Sequence, residues 1–75
     1  MSRERIIIWW DTQSELEKWH VDVLRKTDDG QFKFVMGSER PDFPVDVEAF
    51  GPLEEDLLIQ SLKGTFPDSD ISLKF

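Results

Sequence analysis

Hydrophobic and polar residues alternate along this chain with two different periods. Four segments alternate with a period of two, which is typical of strands with one buried face. They are residues 5–10, 31–36, 45–50 and 71–75. Two further segments, residues 15–26 and 53–63, have the three-to-four-residue spacing of amphipathic helices. The pattern therefore predicts the element order β-α-β-β-α-β.

The first predicted helix has an apolar side and a charged side. Its start has the spacing of a capping box, in which Thr12 and Glu15 each bind a free backbone amide. We expect Trp19 to be buried at the centre of the apolar side. The full apolar side comprises Leu16, Trp19, His20, Val23 and Leu24.

The second predicted helix follows Pro52, a residue that favours the first helical position. Acidic residues occupy its first turn, where the helix dipole favours negative charge. The residues expected to be buried on this helix are Leu57, Leu58 and Leu62.

The element order predicts a single α+β domain over residues 1–75. The order resembles the ferredoxin-like βαββαβ sandwich, which implies a four-stranded antiparallel sheet in the order 4-1-3-2 with both helices on one face. An alternative is a three-stranded sheet against which the final segment docks irregularly. A fold of this kind hosts many unrelated functions, so it settles architecture and not activity.

Alternation assigns the strand residues to two faces of the predicted sheet. The face covered by helices should receive Ile6, Ile8, Trp10, Phe32, Phe34, Met36, Val45, Val47, Ala49, Ile71, Leu73 and Phe75. The open face should receive Arg3, Arg5, Ile7, Trp9, Lys33, Val35, Asp46, Glu48, Phe50, Ser72 and Lys74. We expect a functional site on the open face.

Composition and charge narrow the classes of function. The chain has no cysteine, which excludes disulfides and thiol chemistry. Its net charge is −7. Residues 1–40 carry seven Lys and Arg against eight Asp and Glu, whereas residues 41–75 carry two against eight. Nucleic-acid binding needs clustered cations, so we expect none. No segment has the length of a membrane span or the pattern of a signal peptide, so we expect a cytoplasmic protein.

The predicted open face has an apolar centre formed by Trp9, Ile7, Val35 and Phe50. Aromatic residues on two central strands resemble, at the level of the fold, the RNA-recognition motif, in which they stack bases. Residues 45–50 depart from the signature of that family, and their acidic side chains would repel phosphates. Exposed aromatic patches also mark protein interfaces, so this centre predicts contact with a partner or with a second copy.

Candidate chemistry is sparse. His20 is the only histidine, and we expect it to be a boundary or core residue hydrogen-bonded to a neighbour. The spacings of metal ligands and calcium loops are absent from the sequence, so we expect no metal or cofactor. Acylphosphatases resemble this chain in element order, but they place an arginine in the turn after the first strand, where this chain has none. We expect no catalytic residues.

The second half of the chain holds a cluster of carboxylates. Its members within the predicted partner site are Asp42, Asp46, Glu48, Glu54, Glu55 and Asp56. Carboxylates on a rigid surface can imitate a phosphate track and occupy a basic groove. They can equally be helix-start, turn and solvated residues. Phe43, in the loop before the third strand, is either a plug in the core or an anchor for a partner.

The sequence therefore predicts a small, acidic, non-enzymatic module that occupies a basic surface of another protein. In size and charge alone it resembles phage anti-restriction and anti-CRISPR inhibitors and small immunity proteins. The alternatives are a homo-oligomeric scaffold subunit that associates through the open sheet, and a small hydrolase of acylphosphatase architecture.

Overall fold

The computed structural model describes residues 4–12 and 17–74 of the chain. The strands are β1 Glu4–Asp11, β2 Lys18–Lys26, β3 Phe32–Gly37 and β4 Ser69–Leu73. A 3-10 turn spans Val47–Ala49, and the α-helix, α1, spans Glu55–Thr65. Within the described residues, no helix is long and apolar enough to cross a membrane.

The fold is α+β, with one mixed four-stranded sheet and one helix among the described residues. The strand order is β3-β2-β1-β4. The pairs β1–β2 and β2–β3 are antiparallel, whereas β1 and β4 are parallel. The expected ferredoxin-like layout is therefore wrong in strand order, in strand direction and in the number of helices. Residues 41–75, the more acidic half of the chain, supply the 3-10 turn, α1 and β4 to this architecture.

The main error of the sequence prediction is the first helix, because residues 18–26 form strand β2. Trp19 and Val23 fit both a helical stripe and a period of two, so their spacing does not decide between the two structures. Val21 does decide, since it is buried beside them on the same face. Pairing along the whole of β1, from Glu4↔Arg25 to Asp11↔Lys18, favours the strand. The predicted capping-box residue Glu15 and the apolar residue Leu16 lie outside the described residues.

The predicted strand at residues 45–50 is also wrong, and its alternation marks burial correctly only at Val45 and Val47, since Ala49 is exposed and Phe50 packs against the core. Val45 and Val47 are buried in the core. The backbone nevertheless turns here, and the Asp46 carboxylate accepts a hydrogen bond from the Glu48 amide at 3.2 Å. Such local side-chain capping competes with strand pairing. Two valines therefore enter the core from a turn.

Strand β3 lies close to its predicted place, but a β-bulge changes which face its residues occupy. Val23 pairs with Met36, whereas the next residue, Leu24, pairs with Phe34, so Val35 is the extra residue. A bulge shifts the alternation of the strand by one position. Phe34 therefore lies on the open face with 60% of its surface exposed. The prediction that it is covered by helices is wrong.

The other β3 aromatic, Phe32, is also on the open face and not on the covered one. It pairs with Lys26 on β2. The Arg5 guanidinium carbon lies 4.7 Å from the centre of its ring. A cation over a ring at this distance is stabilising.

Helix α1 covers one face of the sheet and completes the core. Leu58 and Leu62 are fully buried against the sheet, and each contributes about 1.5–3 kcal/mol by removing apolar surface from water. Leu57 is 44% exposed, so its predicted burial is wrong. The final segment is a strand, as predicted, and it pairs with β1 through Ile6↔Ile71 and Ile8↔Leu73. The alternative of irregular docking is therefore wrong.

Candidate functional site

The open face of the sheet carries a mixed set of aromatic and charged side chains. Strand register places these residues on the face opposite α1. They are Arg5, Ile7, Trp9, His20, Asp22, Leu24, Phe32, Phe34, Asp70 and Ser72. Trp9 and Ile7 therefore lie on the face that the sequence predicts for them.

Trp9 and His20 form the centre of this face. They are directly opposite each other in the β1–β2 pair. Their rings are stacked, with centroids 5.2 Å apart and planes 11° from parallel. The Lys74 ammonium lies 5.2 Å from the centre of the Trp9 ring, and the Lys74 amide donates to the Ile8 carbonyl at 2.9 Å. The C-terminal end of the described chain is thereby fixed beside Trp9.

His20 is buried, and each of its ring nitrogens faces a carboxylate. Its Nε2 lies 2.9 Å from Asp11 Oδ2, and its Nδ1 lies 3.5 Å from Glu39 Oε1. The Nε2 contact has the distance of an ion pair but not the angle of a hydrogen bond. Because Glu39 belongs to the segment after β3, His20 connects that segment to the sheet. Burial of His20 agrees with the prediction of a boundary or core residue.

Ser38 fixes the same segment through the backbone. Its amide donates to the Val21 carbonyl at 2.8 Å, and its hydroxyl oxygen accepts from the Val21 amide at 2.9 Å. The hydroxyl thus replaces a backbone carbonyl where the ladder ends. Glu39 and Arg40 follow at the edge of the open face.

These contacts enclose a pocket of about 300 Å³, here termed the open-face pocket. The residues that line it are Trp9, His20, Asp22, Phe34, Gly37, Ser38, Glu39 and Arg40. A Cβ added to Gly37 would lie 3.2 Å from Phe34 Cζ and 3.4 Å from Asp22 Oδ1. The absence of a side chain at Gly37 therefore allows the Phe34 ring and the Asp22 carboxylate to lie close to this part of the backbone.

The electrostatics of the open-face pocket centre on Asp22. Partial burial raises the pKa of this carboxyl above its ordinary value. Negative charge at Glu39 raises the same pKa, whereas His20 and Lys74 lower it. The carboxylate of Asp22 is therefore less well solvated than a surface carboxylate.

The carboxylates predicted to bind a partner form a separate surface, here termed the acidic rim. It comprises Asp42, Asp46, Glu48, Glu54, Glu55 and Asp56, all exposed except the half-buried Glu55. Two of its members have local roles. Asp46 caps the 3-10 turn, and Glu54 accepts from the Gly51 amide at 2.8 Å. Asp42 contacts Arg40 Nε at 3.5 Å.

The acidic rim and the open-face pocket adjoin. A second pocket of about 350 Å³ is lined by Asp46 and Glu48 of the rim. It is also lined by Ser38 and Arg40, which border the open-face pocket. The segment from Ser38 to Glu48 therefore joins the two surfaces on one side of the molecule.

Several residues predicted for the open face lie elsewhere. Asp46, Glu48 and Phe50 are not on the sheet, because the strand that was to carry them is a turn. Phe50 and Phe43 pack partly buried against the core, and the Phe43 ring lies 6.4 Å from that of Phe66. Val35 is half-buried at the bulge. The predicted apolar centre is thus reduced to Trp9 and Ile7.

Other residues of the open-face pocket were not predicted from the sequence. His20 and Asp22 were assigned to a helix, and Phe34 to the covered face. A period-of-two interpretation of residues 18–26 would place His20 and Asp22 beside Trp9, so the signal is present in the sequence. The sheet face on which Phe34 lies depends on the bulge, and the sequence of β3 contains no signal that predicts a bulge.

Within residues 4–12 and 17–74, no group of three or more His, Asp or Glu side chains is arranged to hold a metal ion. Comparisons of the chain with family models, with curated proteins and with solved structures found no match. Any function therefore has to be argued from the chain's own residues.

Proposed function

We propose that this protein is a non-enzymatic binding module that occupies the basic surface of another protein. The observation that carries the proposal is the acidic rim, where five exposed carboxylates and a half-buried one follow one another on a short, structured segment. Clustered negative charge steers a positively charged partner and selects against acidic ones.

Local structure accounts for only part of this charge. Asp46 and Glu54 cap turns, and Asp56 suits the positive end of α1. Among the described residues, Arg40 is the one cation within ion-pair distance of the acidic rim, and it contacts Asp42. Lys18 lines two pockets together with Glu48, but the described residues show no ion pair between them, and most of the remaining carboxylates are exposed. A partner with Lys or Arg would supply the positive charge that neutralises them.

A matched pair of variants tests the proposal. The rim variant combines Glu48→Gln and Asp56→Asn, because neither side chain caps a turn. The control combines Asp28→Asn and Asp68→Asn, which are exposed and outside the rim. Both variants change the net charge by the same amount. Proteins captured from cells on the wild-type chain are identified, purified and titrated against all three chains at several salt concentrations.

The rim variant should bind such a partner more weakly and with a smaller salt dependence, while the control should bind as the wild type does. Equal losses in both variants would mean that only net charge matters and would contradict a defined surface. If the partner's surface binds nucleic acid, a short DNA duplex should compete with the wild-type chain for it.

A homo-oligomeric scaffold is a second candidate, and the exposure of Phe34 favours it. A large aromatic residue that is 60% exposed beside Trp9 can mark an interface between copies. Light scattering over a range of concentrations tests this candidate, since a monomer throughout the range would exclude it. The hydrolase alternative has lost its architectural basis, because the sheet does not have the acylphosphatase strand order.

A further inference from the structure

We propose that the open-face pocket binds an arginine side chain of the partner. The inference rests on the proposed function, since it names the group of a basic partner that the pocket would hold. It is argued from the aromatic walls, the carboxylates and the size of the pocket.

The walls have the chemistry that a guanidinium group requires. Trp9 and Phe34 contribute aromatic rings, and a planar guanidinium interacts with such rings better than a compact ammonium does. Asp22 and Glu39 offer carboxylate oxygens, which accept paired hydrogen bonds from the guanidinium fork. Aromatic and carboxylate groups together thus favour arginine over an uncharged or acidic side chain.

The size and shape of the pocket agree with this occupant. Its volume of about 300 Å³ is at the lower end of the range for small-ligand pockets, which suits a single side chain. Gly37 lets the Phe34 ring and the Asp22 carboxylate lie close together, so one side chain in the pocket could contact both an aromatic ring and a carboxylate.

The charges around the pocket leave room for a cation. Arg40 also lines the pocket, and its Nε lies 3.5 Å from Asp42 Oδ1. Lys74 is exposed and its ammonium lies over the Trp9 ring, so it is a second cation of the chain beside this pocket. Burial raises the pKa of Asp22 even though His20 and Lys74 lower it, so these two groups do not fully compensate the burial of this carboxyl. An incoming guanidinium would contact Asp22 and compete with Lys74 for Trp9.

The test uses short blocked peptides that differ at one residue: arginine, citrulline or lysine between glycines. Citrulline keeps the shape of arginine without its charge. Each peptide is titrated at constant ionic strength into ¹⁵N-labelled protein, and the Trp9 indole and Gly37 amide signals are followed by NMR. The Trp19 indole is an internal reference, because Trp19 does not line the pocket. Its indole N–H donates a hydrogen bond of 2.8 Å to the Gly51 carbonyl.

The arginine peptide should shift the Trp9 and Gly37 signals saturably, the lysine peptide should bind more weakly, and the citrulline peptide should bind weakest. Asp22→Asn should lower the affinity for the arginine peptide about tenfold, as expected for the loss of a charged hydrogen bond. Phe34→Ala should lower it about threefold. Lys74→Met should raise it, because a competing cation is removed. An unchanged Trp19 indole signal shows that each variant is folded.

Equal binding of the arginine and citrulline peptides would overturn the inference, and so would an Asp22→Asn variant with unchanged affinity. Shifts of the Trp9 signal that depend on protein concentration without peptide would also overturn it, since a second copy would then occupy the pocket. The rim variant separates the two proposals. If it binds the arginine peptide normally and no basic partner exists, the proposed function fails while the pocket assignment stands.

Discussion

Strands β1 and β2 present two very different surfaces from alternate residues. On the side of α1, Ile6, Ile8 and Val21 are completely buried and wholly apolar. On the other side, Trp9 and His20 stack among carboxylates and at the edge of solvent. One surface of these two strands therefore stabilises the fold. The other contains partly buried polar groups, whose burial lowers the stability of the folded state. Residues on the first should control stability, and residues on the second should control binding.

The largest effect is expected from Trp19, on the covered face. Trp19→Ala should lower the free energy of unfolding by about 3–5 kcal/mol, because it leaves a cavity and removes the indole hydrogen bond to Gly51. Trp19→Phe should cost less, since it retains much of the packing. Chemical denaturation measures both. A midpoint for Trp19→Ala near the wild-type value would contradict the division between the faces.

His20 is the open-face residue with the largest expected effect on stability. His20→Ala should cost about 2 kcal/mol, because it removes a buried ring and its contacts with Asp11 and Glu39. His20→Phe retains the stacking on Trp9 but lacks both nitrogens. If His20→Phe is as stable as the wild type, packing rather than the carboxylates fixes the segment after β3, whereas equal losses in both variants would assign the effect to the contacts with Asp11 and Glu39. In any of these variants that releases the segment, the amide hydrogens of Ser38 and Arg40 should exchange with solvent faster than in the wild type.

Trp9 should separate binding from folding. Trp9→Ala should cost only about 1 kcal/mol of stability, the usual contribution of an aromatic pair, because the residue is half-buried and points away from α1. It should abolish detectable binding of the arginine peptide. Thermal unfolding and the peptide titration measure the two effects on one sample. Unfolding of Trp9→Ala would show that the open face also holds the fold together.

Asp22 should give the smallest change in stability, and one of opposite sign. Its folded-state pKa is raised, so the folded chain binds this proton more tightly than the unfolded chain does. The resulting contribution to stability is present at low pH and is lost as the pH rises through the folded pKa. Asp22→Asn should therefore raise the unfolding temperature at neutral pH, and this advantage should shrink as the pH falls. Asp28→Asn, on an exposed turn, is the control. A destabilised Asp22→Asn would contradict the sign.

The sequence predicts strands β1 and β4 and helix α1, because the apolar residues of each segment fit one period clearly and fit the other less well. It does not predict β2, since Trp19 and Val23 satisfy a helical stripe as well as a strand. The burial of Val21 beside them and the pairing with β1 decide between the two, and pairing is a property of the whole sheet. The turn at Val47 is missed for a related reason: the spacing of Val45 and Val47 indicates that both side chains are buried, but it does not show whether a strand or a turn carries them.

The candidate site follows the same division. Trp9 is placed on the open face by alternation within one strand, which is local information. His20 and Asp22 depend on the identity of β2, and Phe34 depends on a bulge, so these residues are recovered only when neighbouring strands are known. The acidic rim needs no such knowledge, because its members are close in sequence and exposed on their own segment.

The parallel pairing of β1 with β4 has a consequence for synthesis of the chain. Strands β1, β2 and β3 are neighbours in sequence and can form a meander as soon as residue 37 is available. Glu4 meets its β4 partner Ser69 only much later, after α1 has emerged. Until then the nascent chain exposes Ile6, Ile8 and Val21 to the crowded cell, which is the period when such a chain is prone to aggregate. The excess of carboxylates in the second half arrives during that interval and would repel other copies of the same unfinished chain.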